Sequence, residues 1–592
     1  MPVYKAPVAE TSFLLNDVLK LDTYADLPGF AEATPDTVAA ILEEAAKLTE
    51  TSWAPTNLVG DKEGCVRNPD GSVTTPAAFK DAYRAYVEGG WLGLSAPEEL
   101  GGQNLPSTLN TVMQEFASSA NLALAMYPGL TQGAIAALMV HGSPEQKATY
   151  LPKMVEGVWS GTMNLTEPHC GTDLGMIKTK AVPNGDGSYA LSGTKIFISS
   201  GEHDLTENIV HLVLARIEGA PAGTKGISLF VVPKFLVGED GSLGARNGVS
   251  CGSLEHKMGI HGNATCVMNY DGATGWLVGE ENRGLAAMFV MMNEARLAVG
   301  VQGLAVAEVA YQNAVFYAKD RLQGRSLTGP KNPDGPADPI IVHPDVRRTL
   351  MTIRAINEAA RALILKTALQ SDIAHRSPDP AARQKALDFL GLMTPVVKGV
   401  FTDLGFDNAV KAQQMFGGHG YVEEWGMSQF VRDARITMIY EGANGIQAMD
   451  LVGRKLAKDG GRAVMAFFGE VEAFCKENGG DAALQPIVGP LAEGLGRLQQ
   501  ATMWFMNNAM TKPDNAGAGA TDYMHLFGLV AMGHMWAVMA KAALAKEGAP
   551  GMAEKLVLAR FYMERLMPET AAQLARISAG AETTMALPAE AF

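Results

Sequence analysis

The chain has 592 residues, 19% of them charged, and a formal net charge of −15. That length suffices for several domains with large buried cores, and the acidic balance argues against general binding to the phosphate backbone of nucleic acids. Five scattered cysteines without a CxxC pair argue against a disulfide framework or a structural zinc site.

The first residues, Met1-Pro2-Val3-Tyr4-Lys5, lack the charged and then apolar pattern of a secretory signal. We therefore expect a cytoplasmic protein. Residues 523–545 are the nearest approach to a membrane span, but they include His525, His534 and Lys541. We interpret this stretch as a buried helix of a bundle and expect no membrane span.

Helical patterns begin early in the chain. We predict an extension over residues 1–37 and an N-terminal helical domain over residues 38–160. Pro35-Asp36-Thr37 offers a helix start, residues 121–140 form another helical stretch, and Pro144-Glu145-Gln146 starts a further helix.

Short β-prone runs follow, and they predict a compact all-β domain over residues 161–279. The runs cover residues 190–199, 209–216 and 226–232 and are bounded by Gly, Asn and Pro. Asn184-Gly185-Asp186-Gly187 is typical of a hairpin turn.

Helical patterns then return and continue to the end of the chain. We predict a C-terminal helical bundle over residues 280–457 and an additional helical domain over residues 458–592. The predicted details are helices at 284–319, 344–371 and 380–411, a loop at 324–338, and a turn-rich linker at 513–519.

Several common catalytic motifs are missing from the sequence. No GxGxxG follows a predicted strand, no Walker A or HExxH motif occurs, and the sequence predicts no GxSxG nucleophile elbow between a strand and a helix. Hydrolysis by a metal or by a nucleophilic serine is therefore poorly supported, and we expect no metal site.

One carboxylate stands out, Glu441 in the stretch Ile439-Tyr440-Glu441-Gly442-Ala443-Asn444. It lies between an aromatic residue and a glycine, with apolar residues upstream. A carboxylate in a dry, apolar site has a raised pKa and can act as a general base. Taken alone, the pattern also fits a carboxylate at a loop or helix start.

Six ordered segments between about residue 80 and residue 456 resemble the acyl-CoA dehydrogenase family. Together they are far more specific than any one motif. They are LTEPHCGTD at 165–173, KIFISS at 195–200, HKMGIHG at 256–262, RLQGR at 321–325, QMFGGHGY at 414–421 and RDARITMIYEGANGIQ at 432–447.

The resemblance implies an α+β multidomain fold. Its parts are an N-terminal helical domain, a middle β-barrel-like domain, a C-terminal four-helix bundle and, in this chain, an extra C-terminal helical domain.

The resemblance also implies FAD as cofactor. A flavin ring needs an apolar or aromatic face and hydrogen-bond donors. Phe197 stands where the family usually has Trp, which keeps the stacking face and removes an indole N–H. Arg321 suits the pyrophosphate because it offers forked donors, and in this family it usually comes from a neighbouring subunit, which implies a homodimer or homotetramer. The residues implied in FAD binding are Thr166, Thr172, Phe197, Ser199, Arg321, Gln414 and Gly418.

For the reaction, the resemblance implies that Glu441 removes the α-proton of an acyl-CoA while the β-hydride passes to the flavin. Some members place the base on an earlier helix before an arginine, but here that position is Ala295, before Arg296. We expect Arg296 and Tyr440 near the site. Ala443 stands where the family often has Thr. The implied electron acceptor is an electron-transferring flavoprotein.

Within the family, the segments at 1–7, 13–19 and 271–279 resemble a branch that acts on 3-(methylthio)propionyl-CoA in bacterial dimethylsulfoniopropionate degradation. The best single substrate is therefore 3-(methylthio)propionyl-CoA, with 3-(methylthio)acryloyl-CoA as product. The extra C-terminal block instead favours a long-chain acyl-CoA dehydrogenase. An acyl-CoA oxidase and a non-catalytic relative that serves as a binding or assembly module stay open.

Overall fold

The computed structural model describes residues 2–509 and 511–592. Met1, with which the predicted N-terminal extension begins, lies outside the described residues. The chain divides into two compact units. We call residues 44–298 the sheet unit, and residues 2–43 with residues 299–592 the helical unit.

The sheet unit contains all the named strands of the described chain and the helices that cover them. Its helices are the end of α2 (Pro35–Leu48), α3 (Asn57–Glu63), α4 (Ala77–Glu88), α5 (Ser107–Ala120), α6 (Leu122–His141), α7 (Pro144–Glu156) and the start of α8 (Gly284–Asp320). Its strands are β1 (Val66–Arg67), β2 (Val73–Thr74), β3 (Trp159–Asn164), β4 (Lys180–Pro183), β5 (Tyr189–Ser199), β6 (Asn208–Ile217), β7 (Ser228–Pro233), β8 (Phe235–Val237), β9 (Leu243–Arg246), β10 (Val249–Leu254) and β11 (Thr265–Val278).

Five of these strands close into a ring. β11 pairs with β5, β5 with β4, β4 with β6, β6 with β7, and β7 again with β11. The strands β10 and β3 extend the ring at β11 and β6. The ring gives each of its five strands a partner on both sides, and the barrel-like middle domain predicted from the sequence is confirmed.

The local sequence explains why these elements form where they do. β6 is almost continuously apolar and buried because it pairs in parallel with β3 and β4 inside the unit. Ser143 and Gln146 form a capping box at the start of α7. Asn121 caps α6 by accepting a hydrogen bond from the backbone N–H of Leu124.

The hairpin turn predicted at residues 184–187 joins β4 to β5, which pair antiparallel, and is confirmed. The short hairpin of β1 and β2 was not predicted. It lies inside the stretch expected to be helical, and strands of two residues leave no periodicity to detect.

The helical unit contains helices of different lengths and, among the described residues, no named strand. They are α1 (Val8–Phe13), most of α2, the rest of α8, α9 (Pro344–Arg376), α10 (Pro380–Met415), α11 (Met427–Thr437), α12 (Asn444–Asp450), α13 (Arg462–Asn478), α14 (Gln485–Asn508), α15 (Asp514–Ala545), α16 (Met552–Arg565) and α17 (Glu569–Ser578). α9 packs along α10, and α11 and α12 contact α10 as well. Gly303 on α8 and Gly405 on α10 let these two helices cross in backbone contact.

The predicted linker at residues 513–519 is wrong, because residues 514–519 lie in the first turns of α15, and Pro513 is the N-cap of that helix. Gly519 is needed for packing rather than for a turn. A Cβ at that position would lie 3.0 Å from the ring Cζ of Phe505.

Four helices of the described chain, α6, α8, α10 and α15, are long and apolar enough to cross a membrane by length and composition. In α15 the most apolar stretch is 78% buried inside the protein. α15 contacts α9, α10, α12, α14, α16 and α17. The stretch at 523–545 is therefore a buried helix, as the sequence predicts.

Candidate active site

Glu441 lies in the loop between α11 and α12, and its backbone has a φ of +57°. This left-handed conformation is uncommon for a residue with a side chain and stores strain of about 1–3 kcal/mol, which persists only where the surroundings fix it. The backbone N–H of Asn444 closes the loop by donating to the carbonyl oxygen of Met438 at 3.1 Å.

A buried amide supports the loop from the side of α12. Nε2 of Gln447 donates to the carbonyl oxygens of Glu441, at 3.2 Å, and Gly442, at 3.1 Å. Gly442 has a φ of +85°, and a Cβ there would lie 2.6 Å from Nε2 of Gln447. Glycine is therefore required after Glu441 by both conformation and space.

Tyr440 ties the same loop to α8. Its hydroxyl donates a hydrogen bond to Oε1 of Gln302. Burial, and then the charge of Glu441, raise the pKa of Tyr440 far above its ordinary value. The phenol therefore stays neutral and keeps its proton for Gln302.

In the sheet unit, the segment after β3 carries Thr166 and rests on a buried ion pair. Nζ of Lys195 donates to Oε1 of Glu167, at 2.9 Å, and to the carbonyl oxygen of Leu165, at 3.0 Å. The backbone N–H of Ile196 donates to the carbonyl oxygen of Thr166 at 2.9 Å. Thr166 is thus bracketed by two contacts from β5.

Glu167 is stabilised as a carboxylate in this buried position. Burial alone would raise its pKa, but Lys195 and hydrogen bonds from Thr179 and Lys178 hold the pKa below its ordinary value. Both oxygens are used, because Oε1 also accepts from Thr179 and Oε2 accepts from the N–H of Lys178 at 2.7 Å.

Phe197 on β5 is the second non-glycine site residue with left-handed backbone, at φ +58°, and its side chain is 60% exposed. The pairing register of β5 against β11 shifts between Cys266 and Met268. Such an irregularity redirects a side chain out of the strand pattern, and it leaves an aromatic ring on the surface. Ser199, two residues on, is partly buried and pairs with Thr265.

Thr172 lies in the exposed turn that follows Thr166. The neighbouring Gly171 lies close to Thr166, since a Cβ on Gly171 would be 3.4 Å from Cγ2 of Thr166. Thr166, Thr172, Phe197 and Ser199 thus all belong to one unit and surround the β3 and β5 ends.

The remaining residues predicted to bind FAD lie in the helical unit. Arg321 follows the end of α8, Gln414 lies in the last turn of α10, and Gly418 follows it; all three are exposed. The short turn that holds Gly418 is fixed by a 2.8 Å hydrogen bond between Nδ1 of His419 and the hydroxyl of Tyr317.

Arg296 lies on α8 in the sheet unit and is partly buried. Its Nε is buried and makes no hydrogen bond within residues 2–509 and 511–592. The preceding Ala295 offers no titratable group, as the sequence indicates.

Side chains of Glu167, His169 and Cys170 place potential metal-ligand atoms within 4.8 Å of one another. Glu167, however, already has a cation in contact, because Nζ of Lys195 lies 2.9 Å from Oε1. The ammonium neutralises the carboxylate and repels a metal ion, so this group is better explained as part of the Thr166 support.

Four models of known domains match the chain in order. They are the N-terminal domain of acyl-CoA dehydrogenase at residues 37–158, its middle domain at 162–273, its C-terminal domain at 282–456, and the acetyl-CoA dehydrogenase C-terminal-like domain at 467–588. The chain belongs to the acyl-CoA dehydrogenase family.

Acyl-CoA dehydrogenases are FAD-dependent oxidoreductases that act on acyl-CoA thioesters. The enzyme class, the cofactor, the substrate class and the fold predicted from the sequence are therefore confirmed.

Similar proteins cover nearly the whole chain. The 3-methylmercaptopropionyl-CoA dehydrogenase of Ruegeria pomeroyi is 44% identical over 97% of this chain and 98% of its own. The broad-specificity linear acyl-CoA dehydrogenase FadE5 of Mycobacterium tuberculosis is 36% identical over 96% of each chain. The structure of Caenorhabditis elegans ACDH-11 in complex with C11-CoA aligns with a TM-score of 0.77 over 96% of this chain and 92% of that one; at 20% identity it shows a shared fold.

The residues present in this acyl-CoA dehydrogenase fit FAD. An aromatic ring that is 60% exposed, Phe197, offers a stacking face, and Nε of Arg296 is a buried donor that makes no hydrogen bond among the described residues. Exposed Arg321 supplies the forked donors that a pyrophosphate prefers.

The sequence indicated Glu441, Tyr440 and the flavin segments, but it did not indicate their supports. Gln447 and Asn444 lie inside the segment at 432–447, and Gln302 lies in none of the six segments. A buried side-chain amide that forms hydrogen bonds with neighbouring groups has no pattern of its own in a single sequence.

Proposed function

We propose that the chain catalyses the α,β-dehydrogenation of a short acyl-CoA thioester, with 3-(methylthio)propionyl-CoA as preferred substrate and 3-(methylthio)acryloyl-CoA as product. The observation that carries this proposal is the 44% identity over 97% of the chain to the 3-methylmercaptopropionyl-CoA dehydrogenase of Ruegeria pomeroyi. A place in dimethylsulfoniopropionate degradation follows from that substrate.

In this proposal Glu441 is the base that takes the α-proton. The strained backbone at Glu441, fixed by Gln447 and by Tyr440, supports the role, since strain of this kind clusters at active sites. The backbone N–H of Glu441 is the proposed donor to the thioester carbonyl, which acidifies the α-proton. FAD, when bound, accepts the β-hydrogen with its electron pair. Tyr440 is the neighbour of Glu441 in the chain and keeps a neutral phenol, and Arg296 is the further residue proposed near the site.

Phe197, Thr166 and Ser199 hold the flavin ring in this proposal. The exposed ring of Phe197 would supply the aromatic face for the flavin, and the hydroxyl and backbone groups of Thr166 and Ser199 would supply hydrogen-bond donors for its polar edge. The bracing of Thr166 by Lys195 and Ile196 keeps these donors in place before the cofactor arrives.

The pyrophosphate and adenine end is assigned to Arg321 and Gln414, and Thr172 and Gly418 are proposed as further FAD-binding residues. In the family the first two usually act on the FAD of a neighbouring subunit, so we propose a homodimer or homotetramer. The proposed electron acceptor is an electron-transferring flavoprotein.

A substrate panel tests the proposal. We expect kcat/KM, measured by dye reduction on purified holoenzyme, to be highest for 3-(methylthio)propionyl-CoA among that thioester, butyryl-CoA and palmitoyl-CoA. A clear preference for palmitoyl-CoA would overturn the substrate while leaving the dehydrogenase activity intact. Stoichiometric peroxide release in air would instead identify an oxidase.

A broad specificity for linear acyl-CoA thioesters is the second candidate. It is favoured by the 36% identity, over 96% of the chain, to the broad-specificity enzyme of Mycobacterium tuberculosis. Equal kcat/KM for butyryl-CoA and palmitoyl-CoA would select it.

A further inference from the structure

A network of buried polar side chains lies behind the loop that carries Glu441. Asn444, the first residue of α12, is 9% exposed. Its Nδ2 lies 2.7 Å from Oδ1 of Asp403, 2.8 Å from Oγ1 of Thr402 and 3.1 Å from the carbonyl oxygen of Gly399. The amide of Asn444 is thereby fixed against α10.

The other end of the same amide is fixed by a buried cation. Nζ of Lys398 donates to Oδ1 of Asn444 at 2.7 Å, and Lys398 has no exposed surface. A buried ammonium is strongly destabilising unless its protons are accepted. Both ends of the Asn444 amide are therefore fixed. The backbone N–H of Asn444 donates a hydrogen bond to the carbonyl oxygen of Met438, so the fixed Asn444 also fixes the loop that carries Glu441.

The network continues into α15, a helix of the additional helical domain at residues 458–592. Nε2 of His525 on α15 lies 2.8 Å from Oδ2 of Asp403. Asp403 thus joins Asn444 on one oxygen to His525 on the other.

Glycines bring α15 close enough for this contact. A Cβ on Gly399 of α10 would collide with Sδ of Met524, the residue before His525. A Cβ on Gly528 of α15 would lie 2.8 Å from Cγ1 of Val400. The two helices therefore approach each other closely at the level of the network.

We infer that three residues position Glu441: His525, Asp403 and Asn444. Through His525, the additional helical domain at residues 458–592 supports the loop that carries Glu441. This inference rests on the proposed role of Glu441 as base. A residue with left-handed backbone stays in place only when its surroundings over-determine it. A displacement of about 1 Å in a reacting group can lower a rate about a hundredfold, so support from α15 reaches the chemistry without touching substrate.

The test compares His525→Ala with His525→Gln and with His534→Ala in the full-length holoenzyme. Gln places an amide nitrogen near the position of Nε2 and can donate to Asp403. His534 is the matched control, because it is a more deeply buried histidine on the same helix, with Nδ1 3.9 Å from Oε1 of Glu470 on α13.

The readouts are the rate of flavin bleaching in a single turnover with 3-(methylthio)propionyl-CoA and the exchange of the substrate α-proton with D₂O. We expect His525→Ala to lower both rates about tenfold. Its KM should be no higher, and its FAD content and thermal midpoint no lower, than those of His534→Ala. His525→Gln should restore most of both rates.

Equal rates per bound FAD in His525→Ala and His534→Ala would overturn the inference. So would a loss confined to FAD content or thermal midpoint. Asn444→Ala gives a second test, and unchanged bleaching in it would also overturn the inference. Glu441→Gln in parallel separates the two proposals: if it is active, the base assignment fails; if it is inactive while His525→Ala is unimpaired, the positioning role alone fails.

Discussion

Phe197 in the sheet unit and Glu441 in the helical unit hold nearly the same unusual backbone, at φ +58° and +57°. Phe197 lies in a strand, where an irregular register with β11 fixes it. Glu441 lies in a loop between two helices, where neighbouring side chains fix it. Strained backbone therefore occurs at two proposed functional residues: Phe197, proposed to contact the cofactor, and Glu441, proposed as the base.

The supports differ in their electrostatics. The segment beside Phe197 rests directly on the buried Lys195–Glu167 ion pair, whereas the carbonyl of Glu441 is held by the neutral amide of Gln447. The charged groups behind the Glu441 loop, Lys398 and Asp403, act on it through the neutral amide of Asn444. A charge next to the base would shift the proton affinity that the base needs. The Lys195–Glu167 pair lies beside Thr166, which is not proposed to transfer a proton, so a buried ion pair is tolerated there.

Removing the charged support has the largest expected effect. Lys195→Met leaves the carboxylate of Glu167 buried without its cation, which destabilises a protein by about 3–5 kcal/mol. We expect a lower thermal midpoint and loss of FAD in calorimetry and absorbance. Lys178→Met is the matched control, because the side chain of Lys178 is exposed and only its backbone N–H contacts Glu167. Wild-type FAD content in Lys195→Met would show that the ion pair is dispensable.

Removing the neutral support affects rate more than stability. Gly442→Ala strains the backbone and displaces Gln447, and we expect kcat to fall about a hundredfold with FAD retained. Gly445→Ala is the control, since a Cβ there meets nothing within 4 Å. Both variants are measured by steady-state dye reduction; equal kcat values would contradict the role of Gln447.

Acid tests the sheet unit through two of its buried histidines. Burial, and then Lys234, lower the pKa of His203 and of His211 in the sheet unit to about 3. Unfolding returns each pKa to about 6.5, so their neutral forms stabilise the fold above that pH, and the stabilisation is lost as pH falls toward 3. The slope is at most about 1.4 kcal/mol per pH unit for each histidine.

We therefore expect the thermal midpoint of the full-length protein to fall between pH 6.5 and pH 5, and to fall less in His211→Asn. Calorimetry at constant ionic strength measures it. The same slope in His211→Asn as in the wild-type chain would show that His211 is not the group that titrates.

The smallest expected effect comes from the exposed ring itself. Phe197→Leu removes the aromatic face and should weaken FAD retention by about tenfold at most, since an aromatic stacking pair contributes about 0.5–1.5 kcal/mol. Phe197→Trp should retain FAD as well as the wild-type chain does. Dialysis followed by flavin absorbance measures retention, and identical loss from both variants would exclude stacking.

The sequence predicts the long helices, the barrel strands and Glu441, because each leaves a periodic pattern or a dense local motif. The linker at residues 513–519 was wrong because glycines that serve close packing, such as Gly519, look like glycines that serve turns. The roles of Asn444, Asp403 and His525 depend on helices far apart in the chain, and no local pattern announces that they meet.

The most direct test of the account is a single turnover of Glu441→Gln with 3-(methylthio)propionyl-CoA. The account predicts a yellow protein with stoichiometric FAD whose absorbance bleaches slower than that of the wild-type chain by several orders of magnitude, since the amide cannot accept the α-proton. Bleaching at the wild-type rate would contradict the assignment of Glu441 as the base.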